Sequence, residues 1–131
     1  MPAATQTSTV VIVGAGPSGL MVAERLSAAG IAVDLFDAMP SVGRKFLLAG
    51  KGGLNLSHAE PIDRFVTRYG ARQATLNGPV REFGPQQVRE WAKSLGVETF
   101  VGSSGHVFPT DMKAAPLLRA TVSAVLRFKC G

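Results

Sequence analysis

The sequence predicts an α/β fold that opens on a parallel β-α-β unit, and three observations carry that expectation. The run Val10-Val11-Ile12-Val13 is valine and isoleucine throughout, the composition of a short buried strand. It leads straight into Gly14-Ala15-Gly16-Pro17-Ser18-Gly19, after which apolar residues recur at helical spacing. A second apolar run, Ile31 to Phe36, ends on Asp37.

Each glycine of the turn has its own task. Gly14 permits the sharp departure from the strand, Gly16 lets the backbone come close to a diphosphate, and Gly19 lets the new helix press against the strand. The unsatisfied N–H groups of that helix's first turn, with the positive end of its dipole, make an anion site without any lysine. The glycine pattern alone is weak, because it also occurs in ordinary turns. Its context strengthens it: a strand precedes, a helix follows, and an acidic residue stands about 20 positions on. Asp37, at the end of the second strand, is placed to accept hydrogen bonds from the hydroxyls of an adenosine ribose.

The helix is expected from Pro17 to Ala29, with Gly30 as its stop. Leu20, Ala23 and Leu26 fall on its inner face, leaving Glu24 and Arg25 to face water. Ala38 to His58 carries four glycines and no sustained period, so a long ordered loop folded over a ligand is expected. Pro61 to Gly70 reads as a helix. Beyond it, Asn77-Gly78-Pro79 is expected to break whatever helix Ala74 begins. Pro85 opens a further helix, with Val88, Trp91, Ala92 and Leu95 as its buried stripe and Gly96 as its end. Val97–Val101 and His106–Phe108 read as strands of a hairpin turning through Gly102-Ser103-Ser104-Gly105. Asp111 is expected to cap a last helix from Met112 to about Arg127. That leaves two strands beside the glycine turn and none after the last helix, so the chain is expected to be the N-terminal portion of a longer protein.

Composition narrows the function. The chain has 131 residues, 46% hydrophobic and 18% charged, as in a globular protein. No stretch is apolar enough to span a membrane, and Met1 to Thr9 lacks the pattern of a signal peptide, so a cytoplasmic address is expected. Cys130, the one cysteine, is read as incidental. The net charge of +5 invites nucleic acid, but the basic residues are scattered and no aromatic residues interleave with them. A small-molecule substrate is expected, with neither nucleic acid nor membrane as partner. His58 and His106 show no ligand spacing, and no metal is expected.

Two further signals follow Asp37. The planar fork of Arg44, in Gly43-Arg44-Lys45, suits phosphate oxygens. Three glycines in Gly50-Lys51-Gly52-Gly53 allow the main chain to lie against a flat ring, with Asn55 adding an amide and Lys51 a charge.

These motifs, with Glu98-Thr99-Phe100-Val101-Gly102-Ser103-Ser104-Gly105, Val107-Phe108-Pro109 and Met112 to Arg119, resemble the aminoacetone oxidase-like branch of a bacterial flavoprotein family. The resemblance runs from Val10 to about Leu126. The residues from Phe128 depart from it, and His106 stands where that branch usually has arginine. It implies a FAD-dependent oxidoreductase of glutathione-reductase-like architecture. The fold is then an incomplete Rossmann-like FAD-binding βαβ domain over 1–59, with a small α+β continuation over 60–131. It implies FAD as cofactor, held by Gly14, Gly16, Pro17, Ser18, Gly19, Asp37, Ala38, Arg44 and Lys45 toward the adenosine and diphosphate, and by Gly52, Gly53 and Asn55 toward the isoalloxazine. An amine or other reduced organic compound is the implied substrate, and no residue is named as catalytic. A nicotinamide dinucleotide module and a non-functional truncated product stay open beside this reading.

Overall fold

The computed structural model describes residues 9–125 and, as backbone, 128–130. By their contacts the residues gather into two units, 1–48 with 118–131, and 49–117.

The first unit is the expected β-α-β. Strand β1 (Thr9–Val13) pairs in parallel with β2 (Ala32–Asp37), with Val10 opposite Val33 and Ile12 opposite Leu35. Helix α1 (Pro17–Ala28) connects them, beginning on a proline and followed by Gly30 at φ +76°. Leu20 and Ala23 of α1 meet Val33, Leu35 and Ala15 in one core, closed by Leu118 and Val125. A third strand, β6 (Phe128–Cys130), lies parallel to β2, giving the order β1-β2-β6. This corrects the expected count of two. Three residues carry too short a pattern to be read as a strand.

Two expectations about burial in this unit fail together. Strand β1 is not buried on both faces: Val11 is 61% and Val13 86% exposed, while Val10 and Ile12 are half-buried. The alternation follows from the pleat, because α1 covers one face only. Glu24, expected to face water, is buried at 7% exposure, with the Arg25 guanidinium 3.7 Å from its carboxylate. The stripe of α1 that meets the core is wider than Leu20, Ala23 and Leu26, taking in Glu24 and Ser27.

The expected loop from Ala38 to His58 contains a short helix, α2 (Arg44–Ala49), and a two-residue strand, β3 (Ser57–His58). The second unit is built on the sheet β3-β5-β4, all antiparallel, from β4 (Thr99–Val101) and β5 (His106–Pro109). The hairpin turn is as read. Gly105 holds φ +82°, and the Gly102 N–H donates to the His106 carbonyl at 2.8 Å. Before it run α3 (Ile62–Phe65), a 3-10 stretch to Arg72 broken at Gly70, α4 (Gln73–Glu82) and α5 (Pro85–Ser94).

Helix α4 passes through Gly78 and Pro79, against expectation. Proline there forfeits one N–H bond, toward the Thr75 carbonyl. The neighbouring Arg81 donates to Asn77 Oδ1 at 2.9 Å and to Asp63 Oδ1 at 2.6 Å, and the Phe83 N–H reaches the Pro79 carbonyl at 2.9 Å. Helix α6 (Ala115–Ser123) starts three residues after Met112, because Asp111 closes a local turn onto the Lys113 N–H instead of capping the helix. Pro116 thus falls in its first turn. The helix ends at Ser123, short of the expected end near Arg127, and the Cys130 side chain lies outside the described residues.

Candidate functional site

Where β1 gives way to α1, three main-chain bonds shape the turn. The Gly14 N–H donates to the Phe36 carbonyl at 2.7 Å, carrying the strand pairing one residue further. Gly14 itself holds φ +103°, which favours glycine. The Leu20 N–H donates to the Gly16 carbonyl at 2.9 Å as the first bond of the helix, and the Gly43 N–H donates to the Ala15 carbonyl at 2.9 Å. That last bond ties the segment after β2 to the turn and sets α2 beside it.

The glycine tasks separate in space. A Cβ on Gly19 would collide with the Gly14 carbonyl and come within 3.5 Å of Ile12 Cγ2, so helix and strand meet here through a missing side chain. A Cβ on Gly16 would meet nothing within 4 Å. Gly16 therefore opens onto free space, as a residue approached by a ligand does.

Asp37 joins the same place from the end of β2. Its Oδ2 accepts the Ala15 N–H at 2.7 Å and its Oδ1 accepts the Met39 N–H at 2.8 Å. These two bonds, Met39 first, hold the carboxyl below its ordinary value, against a smaller opposing effect of burial. The group stands ionised at the mouth of the turn. An ionised carboxylate has about four lone-pair positions, so two remain for a pair of hydroxyls.

Ala15, Gly16 and Asp37 line a partly open cavity of about 470 Å³, within the usual range for small-molecule sites. Arg44 and Lys45 face it from α2, both exposed, and bring positive charge opposite the carboxylate. Met39, Ser41, Gly43 and Leu48 complete the wall and were not singled out as cofactor-binding residues. Asp37-Ala38-Met39 carried a local signal, an aspartate bonding the backbone two residues on. Leu48 carried none, because its place depends on α2. Pro17 and Ser18 occupy the first turn of α1, while Ala38 is exposed and does not line the cavity.

Gly52, Gly53 and Asn55 belong to the second unit. Gly52 and Gly53 take φ +80° and +125°. Gly53 has a packing reason to be glycine, since a Cβ would stand 2.7 Å from Met112 Cε. Gly52 meets nothing, and Asn55 is exposed.

With this geometry in hand, the comparisons with known proteins decide the family. The family model described as HI0933-like protein Rossmann domain matches residues 8–130. The chain belongs to that family. Membership in the HI0933-like Rossmann family agrees with the strand order and turn described above. It also corrects the expectation that the likeness stops near Leu126, since the match includes β6. A curated relative, the ribosomal RNA dihydrouridine synthase of Haemophilus influenzae, is 39% identical over 56 residues, which is 43% of this chain and 14% of that protein. The crystal structure of Thermovibrio ammonificans THI4 superposes with a TM-score of 0.55 at 21% identity, covering 95% of this chain and 38% of that one. At that identity the likeness speaks for the Rossmann-like α/β fold alone. The chain thus aligns with well under half the length of either protein. Among the described residues, no helix is long and apolar enough to cross a membrane.

Proposed function

We propose that this chain is the FAD-binding portion of a flavin-dependent oxidoreductase. The observation that carries the proposal is the ionised Asp37 carboxylate, pinned at the mouth of a glycine turn whose Gly16 opens onto free space. The residues present fit the group. Asp37 would hold the adenosine ribose, and the glycine turn with the first turn of α1, Gly14 to Gly19 together, would hold the diphosphate. Arg44 and Lys45 would balance the phosphate charge, with Ala38 beside the ribose. Gly52, Gly53, Asn55 and Lys51 would serve the flavin ring. When bound, FAD supplies two-electron transfer, accepting a hydride equivalent from a reduced carbon or returning one to an unsaturated ring.

The test is titration of the chain with FAD. Uptake of one equivalent is expected, with a yellow colour that dithionite bleaches. Asp37→Ala should weaken it about tenfold to a hundredfold, as expected for charge-assisted hydrogen bonds of about 1.5–3 kcal/mol. Unchanged FAD affinity in Asp37→Ala, or quenching by NADH and not by FAD, would overturn the proposal.

The resemblance to the aminoacetone oxidase-like branch supports an amine as substrate. A second reading takes the substrate from the 39% identical relative, a uridine of ribosomal RNA, and departs from the expectation of no nucleic acid. The net charge of +5 suits it. Dihydrouracil in RNA treated with the full-length protein and reductant would support it; oxygen uptake with primary amines would support the first.

A further inference from the structure

The register of the small sheet joins two histidines that the sequence keeps far apart. His58 closes β3, His106 opens β5, and the antiparallel pairing sets them directly opposite each other. Their ring centroids lie 5.3 Å apart, edge to face, with 78° between the planes. Gly105 makes this approach possible, since a Cβ there would stand 2.7 Å from both Cε1 and Nε2 of His58. With only hydrogen in that place, the His58 ring reaches over the hairpin turn, and its Nε2 comes to 3.1 Å from the Ser104 carbonyl. From the other strand, His106 Nδ1 lies 2.7 Å from the Ser104 hydroxyl. One nitrogen of each ring therefore faces the same residue.

Behind His58 stands a carboxylate. Glu60 Oε1 is 3.6 Å from His58 Nδ1, and the Glu60 side chain is only 6% exposed. Arg68 pairs with it directly and Arg64 at 3.5 Å, so it stays ionised. Ser104, by contrast, sits exposed at the tip of a turn, where water can replace its bonds.

We propose that His58 and His106 form a site for one divalent first-row transition-metal ion, zinc or copper, bound through one nitrogen of each ring with water completing the shell and Glu60 as the outer carboxylate. Imidazole nitrogen suits these ions, at about 2.0–2.1 Å for zinc. The ion takes the place of the Ser104 oxygens. His58 Nδ1 now accepts the Glu60 N–H at 3.2 Å, so its proton resides on Nε2. Coordination through Nε2 moves that proton to Nδ1, which gives up the Glu60 N–H to water and donates instead to the Glu60 carboxylate, 3.6 Å away, the usual support for a ligating histidine. Among the described residues no group of three or more His, Cys, Asp or Glu is placed to hold a metal. The site therefore has two protein ligands, and its ion exchanges readily.

The test uses the whole chain carrying Cys130→Ser, to remove the thiol, in a buffer that does not bind metal. Zinc is titrated calorimetrically and copper(II) is followed by paramagnetic resonance. One equivalent is expected, with hyperfine coupling to two nitrogens. That nitrogen count is read with both rings intact and does not depend on any histidine variant folding. His58→Gln and His106→Gln should each weaken binding by at least about tenfold, because either removes half of the protein ligands. Ser104→Ala should bind as well or better, since it keeps both rings and removes the competing hydroxyl. Coupling to a single nitrogen, or histidine variants that bind like the parent, would overturn the site and mark an adventitious ion only. Loss of binding in Ser104→Ala equal to that in the histidine variants would also overturn it, assigning the effect to the hairpin.

Discussion

Two methyl groups, three residues apart, should separate folding from binding. In Gly19→Ala the added carbon would stand 1.8 Å from the Gly14 carbonyl oxygen and 3.1 Å from its carbon. Ordinary contact needs about 3.5 Å, so α1 must withdraw from β1 by well over 1 Å. The obstacle is backbone, and it cannot turn aside as a side chain would. Inserting one methylene into a filled core costs about 1–3 kcal/mol, and a displacement of this size belongs at or above the top of that range. For a chain of this length, about 3 kcal/mol lowers the melting temperature by roughly 10 °C. Gly16→Ala is the counterpart. Its φ of −80° suits any residue, and its new methyl would meet nothing within 4 Å. Stability should hold within about 0.5 kcal/mol, while FAD affinity falls because the methyl enters the space left for the diphosphate. Thermal melting by circular dichroism and FAD titration measure the two effects. Equal melting temperatures for Gly19→Ala and the parent, or equal losses for both variants, would refute the assignment of tasks within the turn.

The remaining predictions concern charge, a buried contact and a helix. Because Asp37 is held below its ordinary value by the Met39 and Ala15 N–H groups, its stabilisation is present above the unfolded carboxyl value, about 3.9, and lost as pH falls through the folded one. The parent should lose more melting temperature on acidification below about pH 4 than Asp37→Asn; parallel curves would contradict the two bonds. Gly43 has φ +64°, and a Cβ there would stand 2.5 Å from Leu118 Cδ1. Leu118→Ala should cost about 2–5 kcal/mol alone. In that background Gly43→Ala should cost less than in the parent, a coupling that a double-mutant denaturation cycle would reveal. Gly78 lies inside α4 with nothing near its missing Cβ, so Gly78→Ala should stabilise by about 0.5–1 kcal/mol, read as a higher denaturant midpoint.

The parts legible in the sequence were those settled by neighbours along the chain. Gly14 to Gly19 and Asp37 announce a strand, a turn and a helix, because a tight turn and a close approach each demand glycine at a fixed spacing. Gly102 to Gly105 announce a hairpin for the same reason. Features that depend on what lies across the fold were hidden. Whether Glu24 is buried depends on the width of the core stripe, and whether Val11 and Val13 are exposed depends on which face α1 covers. The helix through Gly78 and Pro79 is held by Arg81 reaching Asp63, a partner well back in the chain. His58 and His106 looked solitary because only the register of β3 on β5 makes them neighbours. In the candidate site, the ribose carboxylate was readable, but Leu48 and Met39 become wall residues only once α2 is folded beside the turn.

The uncovered side of β1 bears on how this chain behaves in company. Thr9 to Val13 hold no charge and no proline, and the strand forms one margin of the described sheet. On such a margin the exposed Val11 and Val13 are an invitation for a second molecule to add itself as another strand. Crowded solutions of this chain should therefore drift toward β-rich aggregates, and whatever shields those valines also guards its solubility.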